Sequence, residues 1–340
     1  MSRYELSRAD LAALLADQPR YRADQVWEGL YRRLCPPAEL SNLPAGLRRR
    51  LAADPALAPA LELAKETTST GTVKWLWRLA DGASIETVLM TYRQRVTACV
   101  SSQAGCAMGC GFCATGQAGF TRHLAVGEMV EQVARAAHRA AVDGRRLSNV
   151  VFMGMGEPLA NYDRVWAAIE RIHDEIGLSA RHVTVSTVGL VPGIRRLSEA
   201  RLPVNLAVSL HAANDELRDR LVPINRRYPL AGLVAACHRY FERTRRRISF
   251  EWALIDGVND RPVDAGELAA IARPLAAHVN LIPLNPTPGW PTRGTDPAGV
   301  ARFQALLAAR GVNATVRANR GTDIDAACGQ LAARSGTLDP

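Results

Sequence analysis

The stretch Cys106-Ala-Met-Gly-Cys110-Gly-Phe-Cys113 places three cysteines within eight residues, at spacings of four and three. Thiolate sulfur is a ligand that suits both iron–sulfur clusters and zinc. A structural zinc site usually takes four ligands in two separated pairs, and no further Cys or His is placed to complete a second pair. Three thiolates would hold three irons of a cubane [4Fe–4S] cluster and leave the fourth iron open. A zinc knuckle and three unrelated buried thiols are the alternatives.

The C-x3-C-x2-C spacing, with Phe112 before the third cysteine, resembles the motif of radical S-adenosylmethionine (SAM) enzymes. The resemblance implies that Cys106, Cys110 and Cys113 bind a [4Fe–4S] cluster. It also implies that the open iron takes the amino and carboxylate groups of SAM. In those enzymes an electron from the cluster cleaves SAM to methionine and a 5′-deoxyadenosyl radical.

The composition is that of an ordinary globular protein. The chain has 340 residues, of which 48% are hydrophobic and 22% charged, and this length suffices for a barrel with an accessory unit. No run approaches the roughly 18 apolar residues of a membrane span, and the N-terminus has no apolar signal core. The seven cysteines show no disulfide framework, so we expect a reducing, cytoplasmic location.

The charge is compatible with a nucleic-acid partner but does not require one. The formal net charge is +9, and basic clusters recur at 48–50, 145–146, 195–196, 226–227 and 245–247. Such a distribution fits contact with a phosphate backbone. The only lysines are Lys65 and Lys74, and alanine is abundant, so codon bias is an alternative explanation of the excess of arginine.

The order of periodic segments predicts an α/β protein in three parts. We expect a small helical accessory domain at 1–60, a β-hairpin linker at 61–94 and a partial (β/α) barrel at 95–340. In the last part apolar strands alternate with helices, which is typical of parallel βαβ units. In such barrels the chemistry lies at the carboxyl ends of the strands. The predicted strands are 95–102, 148–154, 181–187, 203–210, 248–255, 278–284 and 313–318.

Small or polar residues stand at the ends of these strands. Leu159 takes the place of the third glycine of a dinucleotide fingerprint, so the segment before it is not one. That segment resembles the glycine- and glutamate-containing stretch that binds the SAM amino group in radical SAM enzymes. The candidate positions are Gly156 and Glu157 after the second strand, Ser186 in the third, Ser209, Leu210 and His211 at the fourth, and Asn285 after the sixth.

Two further cysteines come from opposite ends of the strand order. Cys99 lies in the first strand, and alternation puts it on one face with Thr97 and Ser101. If that face lines the lumen, Cys99 lies below the cysteine loop. Cys328 follows the last strand, at the start of a short turn or helix. A thiol near a helix N-terminus can be nucleophilic, whereas the pattern alone favours an inert buried cysteine.

Nearly the whole chain resembles the RlmN/Cfr family of radical SAM RNA methyltransferases. In that family, RlmN-type members methylate C2 of adenosine 2503 in 23S ribosomal RNA and of adenosine 37 in certain tRNAs. Cfr-type members methylate C8 of the same ribosomal adenosine, and Pro158 after Glu157 favours C2 here. The matching segments are 21–25, 85–88, 99–103, the cysteine motif, 154–158, 209–211, 222–225 and 323–331.

The resemblance also implies a mechanism that consumes two SAM molecules. The first methylates Cys328, and the radical made from the second takes a hydrogen from that methyl, which then adds to the base. Glu86 is implied as the proton acceptor, a role that Cys99 could share. Cys99 then attacks the sulfur of Cys328, which releases the RNA and leaves a disulfide. The SAM contacts implied are Gly156, Glu157, Ser186, Ser209, Leu210, His211 and Asn285.

The expected partners follow from the same resemblance. The helical domain and the basic surface would hold 23S rRNA or tRNA by shape and phosphate, and the target base would leave its stack. We expect a reductant such as flavodoxin or ferredoxin, no membrane partner, and a monomer. A Cfr-type C8 methyltransferase and a non-catalytic iron–sulfur RNA-binding protein are the alternative functions.

Overall fold

The computed structural model describes residues 2–287, 289–317 and 321–332. Its N-terminal part is helical, as the sequence predicts. Ser7 caps the first helix, because its hydroxyl accepts a hydrogen bond from the Asp10 amide while the Asp10 carboxylate accepts one from the Ser7 amide. The apolar residues of these helices face inward, Leu11 and Leu30 among them. The helices are α1 (Arg8–Leu14), α2 (Tyr21–Tyr31) and α3 (Ala45–Ala53).

Three antiparallel strands follow, β1 (Glu62–Ser69), β2 (Thr72–Arg78) and β3 (Ser84–Thr91). The sequence predicts β2 and β3 as a hairpin, and the structure has them. It also has β1, which sequence analysis missed because most of its residues are exposed and show no alternation. β3 pairs antiparallel with β4 (Val96–Cys99). The hairpin is therefore part of the main sheet and more than a linker.

All seven predicted barrel strands are present and parallel to one another. They lie side by side in the sheet in the same order as in the chain. Residue 318, at the end of the last predicted strand, lies outside the described residues. A separate pair, β5 (Gln103–Gly105) and β6 (Phe120–His123), was not predicted. The others are β7 (Asn149–Phe152), β8 (Val183–Thr187), β9 (Asn205–Ser209), β10 (Ser249–Leu254), β11 (His278–Pro283) and β12 (Asn313–Val316).

Helices connect the parallel strands, which gives the βαβ rhythm that the sequence predicts. The helix Tyr162–Arg171 continues into a π-helical turn, Ile172–Ile176, so its winding changes before it ends. The helices are α4 (Ala114–Gln117), α5 (Val126–Val142), α6 (Tyr162–Arg171), α7 (Val191–Glu199), α8 (Asp215–Leu221), α9 (Leu230–Thr244), α10 (Pro262–Ala272) and α11 (Pro297–Ala308).

The parallel sheet curls around a central cavity. Residues of all seven parallel strands line this cavity, from Thr97 of β4 to Thr315 of β12. Among the described residues, β12 pairs only with β11, so the ring is not closed by hydrogen bonds. The architecture is the predicted partial (β/α) barrel. No helix in the described part of the chain has the length and apolar character that a membrane crossing requires.

The N-terminal helices share one hydrophobic core with the barrel. Arg3 and Glu131 of α5 form a buried ion pair at 3.1 Å, and the Ala60 amide donates to the same carboxylate at 2.7 Å. The indole of Trp27 donates to Glu175 at 2.6 Å, which joins α2 to the π-helical turn. These contacts fix the helical segment against one side of the barrel.

Candidate active site

The cysteine loop is closed at its base by β5 and β6. The Cys106 amide donates to the carbonyl of Gly119 at 2.7 Å. Gly105 has a φ of 73°, and a Cβ there would lie 2.0 Å from the same carbonyl oxygen, so only glycine fits. The loop therefore returns on itself before the barrel helices begin. The thiols of Cys106, Cys110 and Cys113 line one cavity at the carboxyl ends of the strands.

Aromatic packing holds the loop against the barrel. Phe112 meets the His211 ring edge-on, with 4.8 Å between ring centroids, and Trp290 packs on its other side. Burial raises the pKa of Cys106 to about 12 and raises that of Cys110 as well. Such thiols ionise readily only when a bound metal replaces the proton. Among the described residues no three His, Cys, Asp or Glu side chains are already close enough to hold a single metal ion. Three thiols that line one largely apolar cavity nevertheless fit the larger iron–sulfur cluster in their chemistry.

Glu157 joins the loops that follow β7 and β8. Its carboxylate accepts hydrogen bonds from the amides of Leu159 at 3.0 Å and Val188 at 2.8 Å. Its own amide donates to the side chain of Gln103 at 2.8 Å. Gly156 permits this approach, because its φ is 98° and a Cβ would lie 2.5 Å from Gln103. Burial raises the pKa of Glu157 to about 7, so a nearby cation would favour its ionised form.

His211 lies at the carboxyl end of β9 with a left-handed backbone, at a φ of 59°. Burial lowers its pKa to about 3, so the ring is neutral at ordinary pH. Nδ1 accepts a hydrogen bond from the Ala253 amide at 3.0 Å, which leaves the proton on Nε2. The ring is thus a neutral donor that lines the same cavity as the three thiols.

Of the other predicted SAM contacts, all but Leu210 line this cavity. Ser186, Ser209 and Asn285 line the cavity together with Gly156 and Glu157. Leu210 is fully buried in the hydrophobic core and is absent from the described lining, although both of its chain neighbours, Ser209 and His211, belong to it. The Asn285 side chain also donates to the carbonyl of Cys328 at 3.0 Å. It therefore holds the segment that carries this thiol, a role that sequence analysis missed.

Cys99 and Cys328 line a second, smaller cavity that shares Cys113 with the first. Cys328 lies in a turn; among the described residues no helix begins there. The turn is tied to α4, because the Ala114 amide donates to the Gly329 carbonyl at 2.7 Å. Burial raises the pKa of Cys99 to about 12, and the neighbouring Cys328 adds to the effect. The two thiols predicted from opposite ends of the strand order are brought together.

Arg317 follows β12 and lines both cavities. Its backbone amide donates to the Leu281 carbonyl at 2.8 Å. The neighbouring Cys328, followed by Glu251 and Cys99, raises the pKa of Arg317. Among the described residues it is the only Arg or Lys in either lining. Sequence analysis missed it, because a single arginine after an edge strand carries no signal.

Comparison with known proteins gives one consistent result. A family model described as Radical SAM superfamily matches residues 100–269. The probable dual-specificity RNA methyltransferase RlmN of Chloroflexus aurantiacus is 50% identical, over 97% of this chain and 92% of its own. The protein of the same name from Frankia alni is 53% identical, over 94% of this chain and 80% of its own.

A crystal structure of a radical SAM methyltransferase from Sphaerobacter thermophilus has 50% sequence identity and a TM-score of 0.94, covering 98% of this chain and 100% of that one. The chain belongs to the RlmN family of radical SAM RNA methyltransferases. The resemblance predicted from its motifs is thereby confirmed.

One residue implied for the RlmN family lies apart from the rest. Glu86 of β3 does not line either thiol cavity; it lines a groove on the other side of the Cys328 turn. Its carboxylate lies 3.1 Å from the ammonium of Lys74 and accepts a hydrogen bond from the Ala332 amide at 2.9 Å. Nothing in the local sequence marks Lys74 as its partner, since a lysine in an alternating strand usually faces solvent.

Proposed function

We propose that the protein methylates C2 of adenosine in RNA, at adenosine 2503 of 23S rRNA and adenosine 37 of tRNAs, through a methyl group carried on Cys328. The observation that carries the proposal is the placement of five cysteines around two adjoining cavities. Cys99 and Cys328 share a cavity, and this cavity adjoins the one lined by Cys106, Cys110 and Cys113. A radical made in the cavity of the three-cysteine motif would therefore arise beside the carrier thiol.

The residues present fit the two expected cofactors. Cys106, Cys110 and Cys113 would hold a [4Fe–4S] cluster, which family membership favours over a zinc knuckle. Bound together, the cluster and SAM supply a radical able to break an unactivated C–H bond. Glu157 would bind the SAM amino group, because a cation would stabilise its buried carboxylate. The remaining contacts proposed for SAM are Gly156, Ser186, Ser209, Leu210 through its backbone, His211 and Asn285.

The chain's own residues would perform the transfer. Cys328 takes a methyl group by displacement at the SAM sulfonium and presents it to the adenine ring. Glu86 accepts the proton that leaves the attacked carbon, and Cys99 is the alternative acceptor. Cys99 then attacks the sulfur of Cys328. The S–S bond forms as the bond between this sulfur and the transferred carbon breaks, and that carbon keeps the electron pair and takes a proton, so the methylated RNA departs. The two thiols line one cavity, which suits this last step.

The partners follow from the charge and from the relatives. A net charge of +9 suits a phosphate backbone, and the relatives are named dual-specificity RNA methyltransferases. We infer that both rRNA and tRNA are substrates, held in part by the helical segment at 1–60. A reductant of the flavodoxin or ferredoxin class would donate the electron. We further propose that the protein is a cytoplasmic monomer.

The carrier role of Cys328 is tested by Cys328→Ala. We expect no methylated adenosine, with cluster content and SAM binding unchanged, because the thiol lines the cavity without belonging to the cysteine motif. Mass spectrometry of digested RNA after anaerobic reconstitution measures the product. Cys35→Ala is the matched control, since this partly buried thiol lines neither cavity among the described residues.

Each alternative function predicts a different outcome of this experiment. Methylation by the Cys328→Ala protein at the rate of the unaltered protein would refute the carrier role. An 8-methyladenosine product would show that the protein methylates C8 of the adenine ring and not C2. Failure of the unaltered protein to bind SAM or to release 5′-deoxyadenosine would leave the non-catalytic RNA-binding alternative.

The resolving role of Cys99 has its own variant. Cys99→Ala should accumulate protein joined covalently to RNA, because the other cysteine in the described lining of this cavity, Cys113, would be held by the cluster. Gel electrophoresis under denaturing, nuclease-free conditions measures this species. Multiple turnovers with free protein would show that another group releases the product.

A further inference from the structure

The two lysines of the chain line one groove. All other positive side chains are arginines, yet Lys65 and Lys74 both face the groove between the β1–β3 strands and the segment that carries Cys328. Lys65 is exposed at its mouth. Lys74 pairs with Glu86 at 3.1 Å, and their side chains are only 14% and 7% exposed. A pair this well buried is geometrically specific and poorly screened by salt.

The sheet fixes both members of the pair. In the antiparallel register of β2 and β3, Leu76 lies opposite Glu86 and Lys74 lies opposite Val88. Lys74 and Glu86 are therefore diagonal neighbours on one face of the sheet, within reach of long side chains. Their positions follow from backbone pairing, so the pair is a rigid feature of the strands.

Each member of the pair also holds the backbone of the Cys328 segment. The Lys74 ammonium donates to the carbonyl of Asp325 at 3.2 Å, three residues before Cys328. The Glu86 carboxylate accepts from the amide of Ala332 at 2.9 Å, four residues after Cys328. The pair thus forms hydrogen bonds with the backbone of this segment on both sides of the reactive thiol. A lysine suits the task, because its compact ammonium can donate to two acceptors in different directions.

We propose that Lys74 is a positioning residue: its ion pair with Glu86 holds the segment 325–332 in place, and the hold weakens when Glu86 takes up a proton during the reaction. The second half of the proposal rests on the proposed function. The proton passes from the attacked ring carbon to the Glu86 carboxylate, and the electrons of the C–H bond stay in the ring. Lys74 keeps its proton, so the ion pair becomes a hydrogen bond from an ammonium to a neutral carboxyl group, which is weaker than the ion pair.

A weaker hold on the segment 325–332 would let Cys328 move before the disulfide forms. Hydrogen bonds in which one group is ionised are roughly twice as strong as neutral ones. Protonation of Glu86 therefore weakens its bond to the Ala332 amide directly, and it weakens the ion pair that keeps Lys74 beside the Asp325 carbonyl. Cys328 is then free to move within the cavity that it shares with Cys99. Attack by Cys99 would follow proton removal, which gives the two steps their order.

The variant that tests the proposal is Lys74→Met, which keeps the length of the side chain and removes its charge. Hydrogen exchange of peptides that cover 325–332, followed by mass spectrometry, measures the hold. We expect exchange to rise roughly tenfold, as for the loss of a hydrogen bond between charged groups. The ratio of methylated adenosine to 5′-deoxyadenosine should fall several-fold, because radicals would form without a correctly placed methyl carrier.

Lys65→Met is the matched control, since it removes the same charge from the same groove without an ion pair to Glu86. A general effect of charge on RNA binding would appear in both variants, whereas faster exchange at 325–332 should appear only in Lys74→Met. Lys74→Arg, which keeps a cation at this site, should restore part of the coupling ratio. Unchanged exchange and an unchanged ratio in Lys74→Met would overturn the proposal.

A second variant keeps the test decisive if Lys74→Met does not fold. Glu86→Gln retains an acceptor for the Ala332 amide and removes only the charge, so it should also speed exchange at 325–332. Exchange equal to that of the unaltered protein would overturn the proposal. The exchange measurement needs no turnover. Absence of methylated adenosine from the unaltered protein would refute the proposed function, while faster exchange in the variants would still support the hold on the segment.

Discussion

At the scale of a single residue, Glu157 is a carboxyl group on whose pKa burial and hydrogen bonding act in opposite directions. It is completely buried beside the cavity, and two backbone amides from different loops donate to its carboxylate. Burial raises its pKa from 4.5 to about 7, although those amides favour the ionised form. A carboxyl group in this state takes up or releases a proton near neutral pH. The SAM ammonium, which we propose to bind here, would favour the ionised form of this carboxyl group.

This raised pKa predicts a pH-dependent stability that Glu157→Gln should remove. Between pH 4.5 and about 7 the folded protein holds a proton that the unfolded chain has lost. Stability therefore falls as the pH rises through this window, by about 3 kcal/mol for this group. Glutamine does not titrate, so the variant should lack this fall. Urea unfolding of both proteins at pH 5 and pH 8 without SAM measures the difference.

The comparison of the two proteins isolates Glu157 from other titrating groups. His211 has a pKa lowered to about 3 by burial, so its contribution has the opposite sign, and stability is lost as the pH falls below 6.5. That contribution is common to both proteins and cancels. Parallel stability curves for the two proteins would show that Glu157 is ionised throughout.

At the scale of elements, Arg218 of α8 fixes the ends of two neighbouring strands. Its fully buried guanidinium donates to the carbonyls of Val188 at 2.6 Å and Leu210 at 3.1 Å, which follow β8 and β9. A third bond reaches the Asn225 side chain at 2.7 Å. Burial lowers the pKa of Arg218 to about 10, so the group is still charged at neutral pH. One planar cation thus shapes the rim from which Ser209 and His211 project.

Arg218→Lys should therefore damage both stability and SAM binding. A lysine ammonium cannot reach acceptors on both strand ends, so buried carbonyls lose their donors, at a cost of about 2–4 kcal/mol. Thermal unfolding and calorimetric titration with SAM measure the two effects. Arg220→Lys on the same helix is the control, because that side chain is exposed. Equal SAM affinity in the two variants would show that the rim keeps its shape without Arg218.

The elements also show what sequence alone could predict. Most of the barrel strands were found because they are apolar runs that alternate with helices, and the cysteine motif because its spacing is local. β1 was missed because most of its residues are exposed. β5 and β6 were missed because strands of three or four residues are too short to show an alternation of apolar and polar residues. Lys74, Arg317 and Arg218 were missed for another reason. Their partners are distant in the chain or belong to the backbone, and no pattern records such contacts.

At the scale of the whole molecule, the N-terminal helices and the barrel share one hydrophobic core. The sequence predicts residues 1–60 as an accessory domain with its own fold, and this boundary stays a prediction. The buried pair of Arg3 with Glu131 at 3.1 Å gives a physical reason to expect joint unfolding. Removal of the helices would leave a carboxylate and an apolar face of α5 without their partners.

Native-state hydrogen exchange can test this coupling. The slowest amides of α2 and of β9 should exchange with the same free energy of opening, because both open only when the shared core is lost. Increasing amounts of urea should lower the two values in parallel. A lower opening free energy confined to α2 would identify the helical segment as an independently folding unit.

The strand order has a bearing on how the enzyme is made. Each strand of the main sheet lies beside the one synthesised before it, so the sheet can grow in the direction of translation. Cys113 emerges from the ribosome long before Cys328, and at 5–20 residues per second the interval is roughly 10 to 40 seconds. The nascent chain thus holds the loop proposed to bind the cluster for some time without the proposed carrier of the methyl group. Chains that end before Cys328 would carry the first of these features and lack the second.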